Sequence, residues 1–234
     1  MRTAVLGGTG KTGRAVAAAL ERRGHEVVPL GRAAWADLPA ALVGCEAAYL
    51  VAPNMHPDES GYARTAVSAL RATGVPRVAL HSVVAPYAPA MPHHLGKAAA
   101  EDVVRRSGLA WTVLQPGAYL QNLDLSRTVR IAYRADAPFG FADLADVAEA
   151  AAVVLTEPGH EGATYELASR RATVADLAAE AGVDVEVVSP ARWAATDGAA
   201  LDARVRDWLL AMFAYYDAHG LPAGTLPLRT LLGR

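Results

Sequence analysis

Thr3-Ala4-Val5-Leu6-Gly7-Gly8-Thr9-Gly10-Lys11-Thr12-Gly13 carries the reading on which everything else turns. Residues 3–6 are a short apolar run, which predicts a strand. From about Lys11 to Arg23 the pattern is helical, with Val16, Ala17 and Leu20 on one face, Glu21 to Arg23 outside, and Gly24 as a stop signal. Between them stand glycines at 7, 10 and 13. Residues without Cβ let a strand turn sharply into a helix and let backbone approach a diphosphate closely. The helix start then offers unpaired N–H groups and the positive end of its dipole. The stretch therefore predicts a dinucleotide-binding strand–loop–helix unit. A triphosphate-binding loop is the rival, because Gly10-Lys11-Thr12 matches the end of that motif. Its first glycine would fall at position 5, where Val5 stands, and the apolar run 47–52 leads to Pro53-Asn54 instead of an acidic magnesium ligand.

Working outward, strand-like runs at 26–30, 47–52, 77–81 and 110–114 alternate with helical patterns at about 58–73 and 95–107. That alternation predicts an α/β fold, a Rossmann-type doubly wound parallel sheet with helices on both faces. Further on, a helix is expected over 143–155, a strand over 164–167, a helix over 173–181 and a strand over 185–188. A last helix is expected from about Leu201 to Ala218, with Leu201, Val205, Trp208, Met212 and Tyr215 on one stripe. The reading is one NAD(P)-binding domain over 1–234, with a Rossmann core of about 1–155. Residues from about 156 to 234 form a smaller C-terminal substrate lobe.

Composition narrows the function. The chain has 234 residues, 53% hydrophobic and 20% charged, an ordinary globular balance. Its 22 basic and 24 acidic residues leave a net charge of −2, which argues against gripping nucleic acid through phosphate neutralisation. Cys45 is the single cysteine, so no internal disulfide framework and no cysteine-built zinc site is expected. His93-His94 lacks carboxylates at ligand spacing, so no metal is expected. No stretch reaches ~18 uninterrupted apolar residues, and the first strand begins at once, so a soluble cytoplasmic protein without membrane association is expected, monomeric or homodimeric. The absence of a Gly-x-Ser-x-Gly elbow removes an ordinary α/β-hydrolase.

The second strand ends in Leu30-Gly31-Arg32. An acidic residue there would bond ribose hydroxyls, whereas an arginine accommodates a 2′-phosphate. Arg32, with Lys11 and Arg14 nearby, therefore favours NADP(H) over NAD(H). Lysine itself is informative: only Lys11 and Lys97 occur, among 22 basic residues. Lys97 is expected in the opening turn of a helix, where the dipole disfavours a cation, and Lys97 before Glu101 is the poorer order for an i,i+4 pair. Local stability explains it badly, so it is read as functional. Ligands of open α/β sheets bind along the carboxyl edge. Strand ends there bring Ala52-Pro53, Ser82 after His81, and Pro116-Gly117, followed by a loop over 118–122. With Gly7, Thr9, Gly10, Lys11, Thr12, Gly13, Arg32 and Lys97, these are the expected cofactor-binding residues.

The chain resembles the NmrA-like, atypical short-chain dehydrogenase/reductases. The resemblance rests on the glycine loop 7–13 and on His94-Leu95-Gly96-Lys97-Ala98-Ala99-Ala100-Glu101. It continues through Ser107 to Asn122 with Gln115-Pro116-Gly117-Ala118-Tyr119, then Asp143-Leu144-Ala145-Asp146-Val147-Ala148 and Gly162-Ala163-Thr164-Tyr165-Glu166-Leu167. It implies an NADP(H) site and, in the enzymatic members, reduction of a quinone, enone or carbonyl. Two departures stand out. His93 occupies the tyrosine position of the usual Tyr-x-x-x-Lys pair, and Arg32 to Asp37 is very short, leaving little room for the usual loop and third strand. The expected catalytic residues are Lys97, bonding the nicotinamide ribose, with His93, Tyr119 or water as proton source. His93 is expected to act as a neutral donor because a helix start lowers its pKa. His56, Tyr87, Asn122, Trp208 and Phe213 are the expected substrate contacts, for an aromatic, quinone-like or polyketide-like small molecule. The alternatives are a non-catalytic NADP(H) sensor acting through a protein partner, and a cofactor-retaining isomerase or cyclase.

Overall fold

Strands buried on both faces read as continuous apolar runs, and that is how the central sheet is written into this chain. In the computed structural model, which describes residues 1–234, the order is β1 (Arg2–Leu6), α1 (Lys11–Arg22), β2 (Glu26–Leu30), α2 (Leu38–Leu42), β3 (Ala47–Leu50), α3 (Glu59–Ala72), β4 (Arg77–His81), α4 (Pro92–Arg105) and β5 (Ala110–Pro116). There follow β6 (Ala118–Tyr119), β7 (Val129–Ile131), β8 (Phe139–Ala142), α5 (Leu144–Thr156), β9 (Ala163–Leu167), β10 (Arg170–Ala172), α6 (Val174–Ala181), β11 (Val185–Val187), α7 (Pro190–Ala195), α8 (Ala203–His219) and α9 (Leu226–Leu231). Six strands form one sheet in the order β2-β1-β3-β4-β5-β9, every pair parallel. The chain order reverses between β1 and β3, which creates the crevice where such sheets bind ligands.

Two apolar layers sandwich this sheet. Leu6, Leu50, Leu70, Leu80 and Val104 belong to the layer under α3 and α4. Val5, Leu20, Tyr49, Leu114, Val147 and Leu155 belong to the layer under α1 and α5. The odd and even residues of β1 thus serve opposite layers, as strand alternation requires. A third cluster, rich in aromatic rings, packs Phe139, Phe141, Tyr216 and Leu221 beneath α6 and α8. It is framed by a small sheet in the order β10-β8-β6 and by the β11-β7 pair.

Residues beyond 155 serve both regions. β9 closes one side of the main sheet, and Leu228 on α9 is buried in the layer under α5. Several local expectations need correction. α4 starts at Pro92, which suits the first helical turn, so Lys97 lies in the second turn and not the first. A third strand does follow the short 32–37 segment: a 3₁₀ turn over Arg32–Ala36 and α2 lead into β3. The 118–122 loop contains a short strand and a 3₁₀ turn. The last helix begins one residue after its Asp202 cap, which leaves Leu201 outside it and exposed.

Candidate functional site

The glycine loop sits at the crevice. Gly7 has φ +88°, left-handed backbone that side chains disfavour, and a Cβ there would lie 2.4 Å from the Val51 carbonyl oxygen. A Cβ on Gly13 would lie 2.2 Å from the Gly7 oxygen, so α1 is seated directly on the loop. α1 has Gly10 as its N-cap, no side-chain cap and no acidic residue in its first turn. A helix with neither cap nor counter-charge leaves its first N–H groups open to an anion. These features fit the diphosphate of a dinucleotide. Lys11 Nζ donates to the Gln121 carbonyl at 3.3 Å, tying the loop to the turn after β6, while Arg14 bonds the Thr9 carbonyl. Arg32 is exposed beyond the end of β2, where no acidic side chain follows Leu30.

Lys97 is buried, and its Nζ lies 3.1 Å from Glu59 Oε1 at the first turn of α3. The Glu59 side chain is only 3% exposed. Local helix stability still does not explain Lys97, but a tertiary ion pair accounts for its burial: its counter-charge comes from a different helix. Three buried histidines, His81, His93 and His94, feel the charge of this ammonium. Burial, reinforced by the Lys97 charge, lowers His81 and His93 to about 3 and His94 to about 4. His93 is therefore neutral, but burial and not the helix dipole is the main cause. Its Nδ1 has no hydrogen-bond partner, and its ring faces that of Trp208 at 6.1 Å. His94 meets the Ala85 carbonyl through Nδ1 at 3.2 Å, leaving Nε2 unpaired.

At the end of β4, His81 stands between two phenols. Its Nδ1 lies 2.5 Å from Tyr49 Oη and its Nε2 lies 3.4 Å from Tyr119 Oη. Burial raises the Tyr119 phenol, while the Thr12 hydroxyl beside it works against the rise. Tyr119 thus stays protonated at neutral pH and faces the start of α1. Ser82, next along, donates to Glu101 at 2.5 Å, and Gln115 donates to the same carboxylate oxygen at 2.7 Å. Glu101 is fully buried and also paired with Arg105 at 3.1 Å, so the Ser82 hydrogen is committed inward. Pro116 and Gly117 lie on the same edge, where their backbone bonds Val84 and Leu167. A Cβ on Gly117 would lie 1.9 Å from the Gly140 oxygen, so close sheet packing already accounts for that glycine.

The expected substrate contacts scatter. Trp208 joins the Lys97 region through His93. His56 is half-buried, accepts from the Asp58 amide at 3.1 Å and sits against Tyr62. Tyr87 is 63% exposed and Asn122 is exposed. Phe213 packs inside the lobe against Trp193 at 4.8 Å and Tyr133 at 5.7 Å, among core rings. Ala52 is half-buried and Pro53 exposed at the end of the segment after β3. Glu59, Tyr49 and Arg204 escaped the sequence reading, and Glu101 entered it only as a helix neighbour of Lys97. Only the tertiary fold brings Glu59 to a lysine 38 positions away (97 minus 59).

Residues 33–158, more than half of the chain, match the family described as NAD(P)H-binding. The chain is 32% identical over 165 residues to an NAD(P)H azoreductase of Xenophilus azovorans, covering 65% of this chain and 57% of that protein. It is 34% identical over 156 residues to quinone oxidoreductase 2 of Escherichia coli, covering 62% and 53%. The match thus spans little more than half the length of these relatives. Among solved structures, the NADPH complex of the quinone oxidoreductase QOR2 from Escherichia coli superposes with a TM-score of 0.83 at 25% identity. That superposition covers 100% of this chain and 95% of the other.

Proposed function

The chain belongs to the NAD(P)H-binding family of NmrA-like, atypical short-chain dehydrogenase/reductases, and from that premise we propose that it is an NADPH-dependent reductase of quinone-like or other conjugated carbonyl compounds. One observation carries the reading: the Tyr119 phenol meets His81 at the carboxyl edge of the sheet, beside the bare start of α1, with the buried Lys97 near enough for its charge to lower His81. The relatives that act on quinones and azo compounds support the same chemistry.

The open N–H groups of α1 and the Gly7-Gly13 seat would hold the diphosphate, and Arg32 would meet the 2′-phosphate. When bound, the reduced nicotinamide supplies a hydride. Lys97 then lends positive charge where an oxyanion develops, and Tyr119 gives the proton. His93 is a weaker candidate for that proton because its ring is buried against Trp208. Quinone reduction suits a site without the usual helix tyrosine, since a hydroquinone oxyanion is stable enough to need little acid assistance.

The test is steady-state NADPH oxidation against a panel of quinones, azo dyes and simple ketones. Turnover with quinones, lost on Lys97→Met and slowed on Tyr119→Phe, is the expected result. Tight NADPH binding with no consumption against any of them would instead favour a sensor. Cofactor choice has its own measurement. Arg32→Ala should raise KM for NADPH about tenfold to a hundredfold, the worth of a charged hydrogen bond to phosphate, and leave KM for NADH unchanged. Equal effects on both would remove Arg32 from the phosphate.

A further inference from the structure

Tyr49 lies in the middle of the main sheet, fully buried, and its hydroxyl meets His81 Nδ1. A neutral imidazole carries one N–H and a phenol carries one O–H, so the hydrogens of this pair can be assigned. If Nδ1 held the imidazole hydrogen, it would point at Tyr49 Oη, and the Tyr49 hydrogen would be left without an acceptor among apolar neighbours. An unpaired buried donor is costly. If Nε2 holds it, Tyr49 donates to Nδ1 and both are satisfied. Nε2–H then points at Tyr119 Oη. Charging the ring offers no escape, since burial and Lys97 keep it neutral. With its oxygen already receiving a hydrogen from His81, Tyr119 must direct its own O–H elsewhere, toward the start of α1, where the Thr12 hydroxyl is its neighbour.

We propose that Tyr49 fixes His81 as the Nε2–H tautomer and that His81 in turn aims the Tyr119 O–H out of the sheet, toward the substrate. Tyr49 and His81 are positioning residues; Tyr119 is the group that touches the ligand. The proposal rests on the reading of Tyr119 as proton donor. In that step the Tyr119 O–H bond breaks as the substrate oxygen gains its hydrogen, the electron pair having arrived as hydride from NADPH. The phenolate left behind accepts from His81 Nε2–H until water returns a proton.

The experiment is two-bond ¹H–¹⁵N correlation on the full chain with labelled histidine, assigning His81 by its loss in His81→Gln. The wild type should show a protonated Nε2 and an accepting Nδ1. Tyr49→Phe should convert this to a mixture of tautomers. It should also lower kcat with a quinone about tenfold, the worth of one hydrogen bond, at unchanged KM for NADPH. A folded Tyr49→Phe protein with the wild-type histidine signature, or a wild type protonated on Nδ1, would overturn the positioning role even if Tyr119→Phe is slow. Undiminished kcat in Tyr119→Phe would overturn the proton-donor reading even if the tautomer is as expected.

Discussion

Glu59 makes a buried Lys97 tolerable, and the pair separates two explanations of that lysine. Breaking a buried ion pair strands a charge and costs about 3–5 kcal/mol, whereas removing both charges is close to neutral. Glu59→Gln and Lys97→Met should each lower the free energy of unfolding in urea by that order, and the double variant should recover most of it. If Lys97 only balances Glu59, the double variant also recovers NADPH turnover. If Lys97 meets the ligand, stability returns and turnover does not, which is the outcome expected here. The surrounding histidines set a pH response. His81 and His93 titrate near 3 and His94 near 4 in the folded protein, against an ordinary value of 6.5. The unfolded chain therefore binds more protons between these values, so stability falls as pH drops below about 6.5, with a slope of up to roughly 1.4 kcal/mol per pH unit for each histidine. Urea midpoints that stay flat from pH 7 to pH 5 would contradict the burial of these rings.

Single side chains act through the elements that carry them, and α1 is the clearest case. Its seat leaves no room at Gly13, where a Cβ would press on the backbone of both Gly7 and Gly8, while at Gly10 the nearest atom would be 3.3 Å away. Gly13→Ala should therefore displace α1, costing about 1–3 kcal/mol and lowering Tm by roughly 3–10 °C. Calorimetric NADPH binding should weaken with it, and Gly10→Ala should do much less harm to folding. The difference shows what was legible in the chain. The loop, α1 and the parallel strands were readable because their signals are local: glycine spacing, apolar runs and the Gly24 stop. β6, β8 and β10 were not, because strands of two to four residues carry little periodicity. Lys97 was singled out, yet on an incomplete argument, since Pro92 moved the helix start and Glu59 lay in another element. Tyr49 reads as one more apolar strand residue until His81 is seen beside it in the fold.

At the scale of the whole molecule, the question is how the lobe reports to the sheet edge. Arg204 on α8 supplies a clasp. Its Nη1 donates to the Met55 carbonyl at 2.9 Å, its guanidinium covers the Trp208 ring at 4.7 Å, and Trp208 faces His93 on α4. Met55 is held at φ +53°, a conformation uncommon for methionine that the surrounding contacts must maintain. A hydrogen bond from a charged donor plus a cation–π contact at a half-exposed site is worth about 1–2 kcal/mol. Arg204→Ala should accordingly loosen α8 without unfolding the sheet, speeding amide exchange over 203–219 while β1, β3 and β4 stay protected. Because Trp208 then loses its support over His93, KM for an aromatic quinone should rise several-fold while KM for NADPH, whose diphosphate is proposed to sit on α1, holds. Arg204→Lys should behave like the alanine variant, since an ammonium cannot both stack on indole and reach the carbonyl as a planar fork does. Unchanged exchange in α8, or equal rises in both KM values, would mean that the lobe and the nucleotide edge are not joined through this residue.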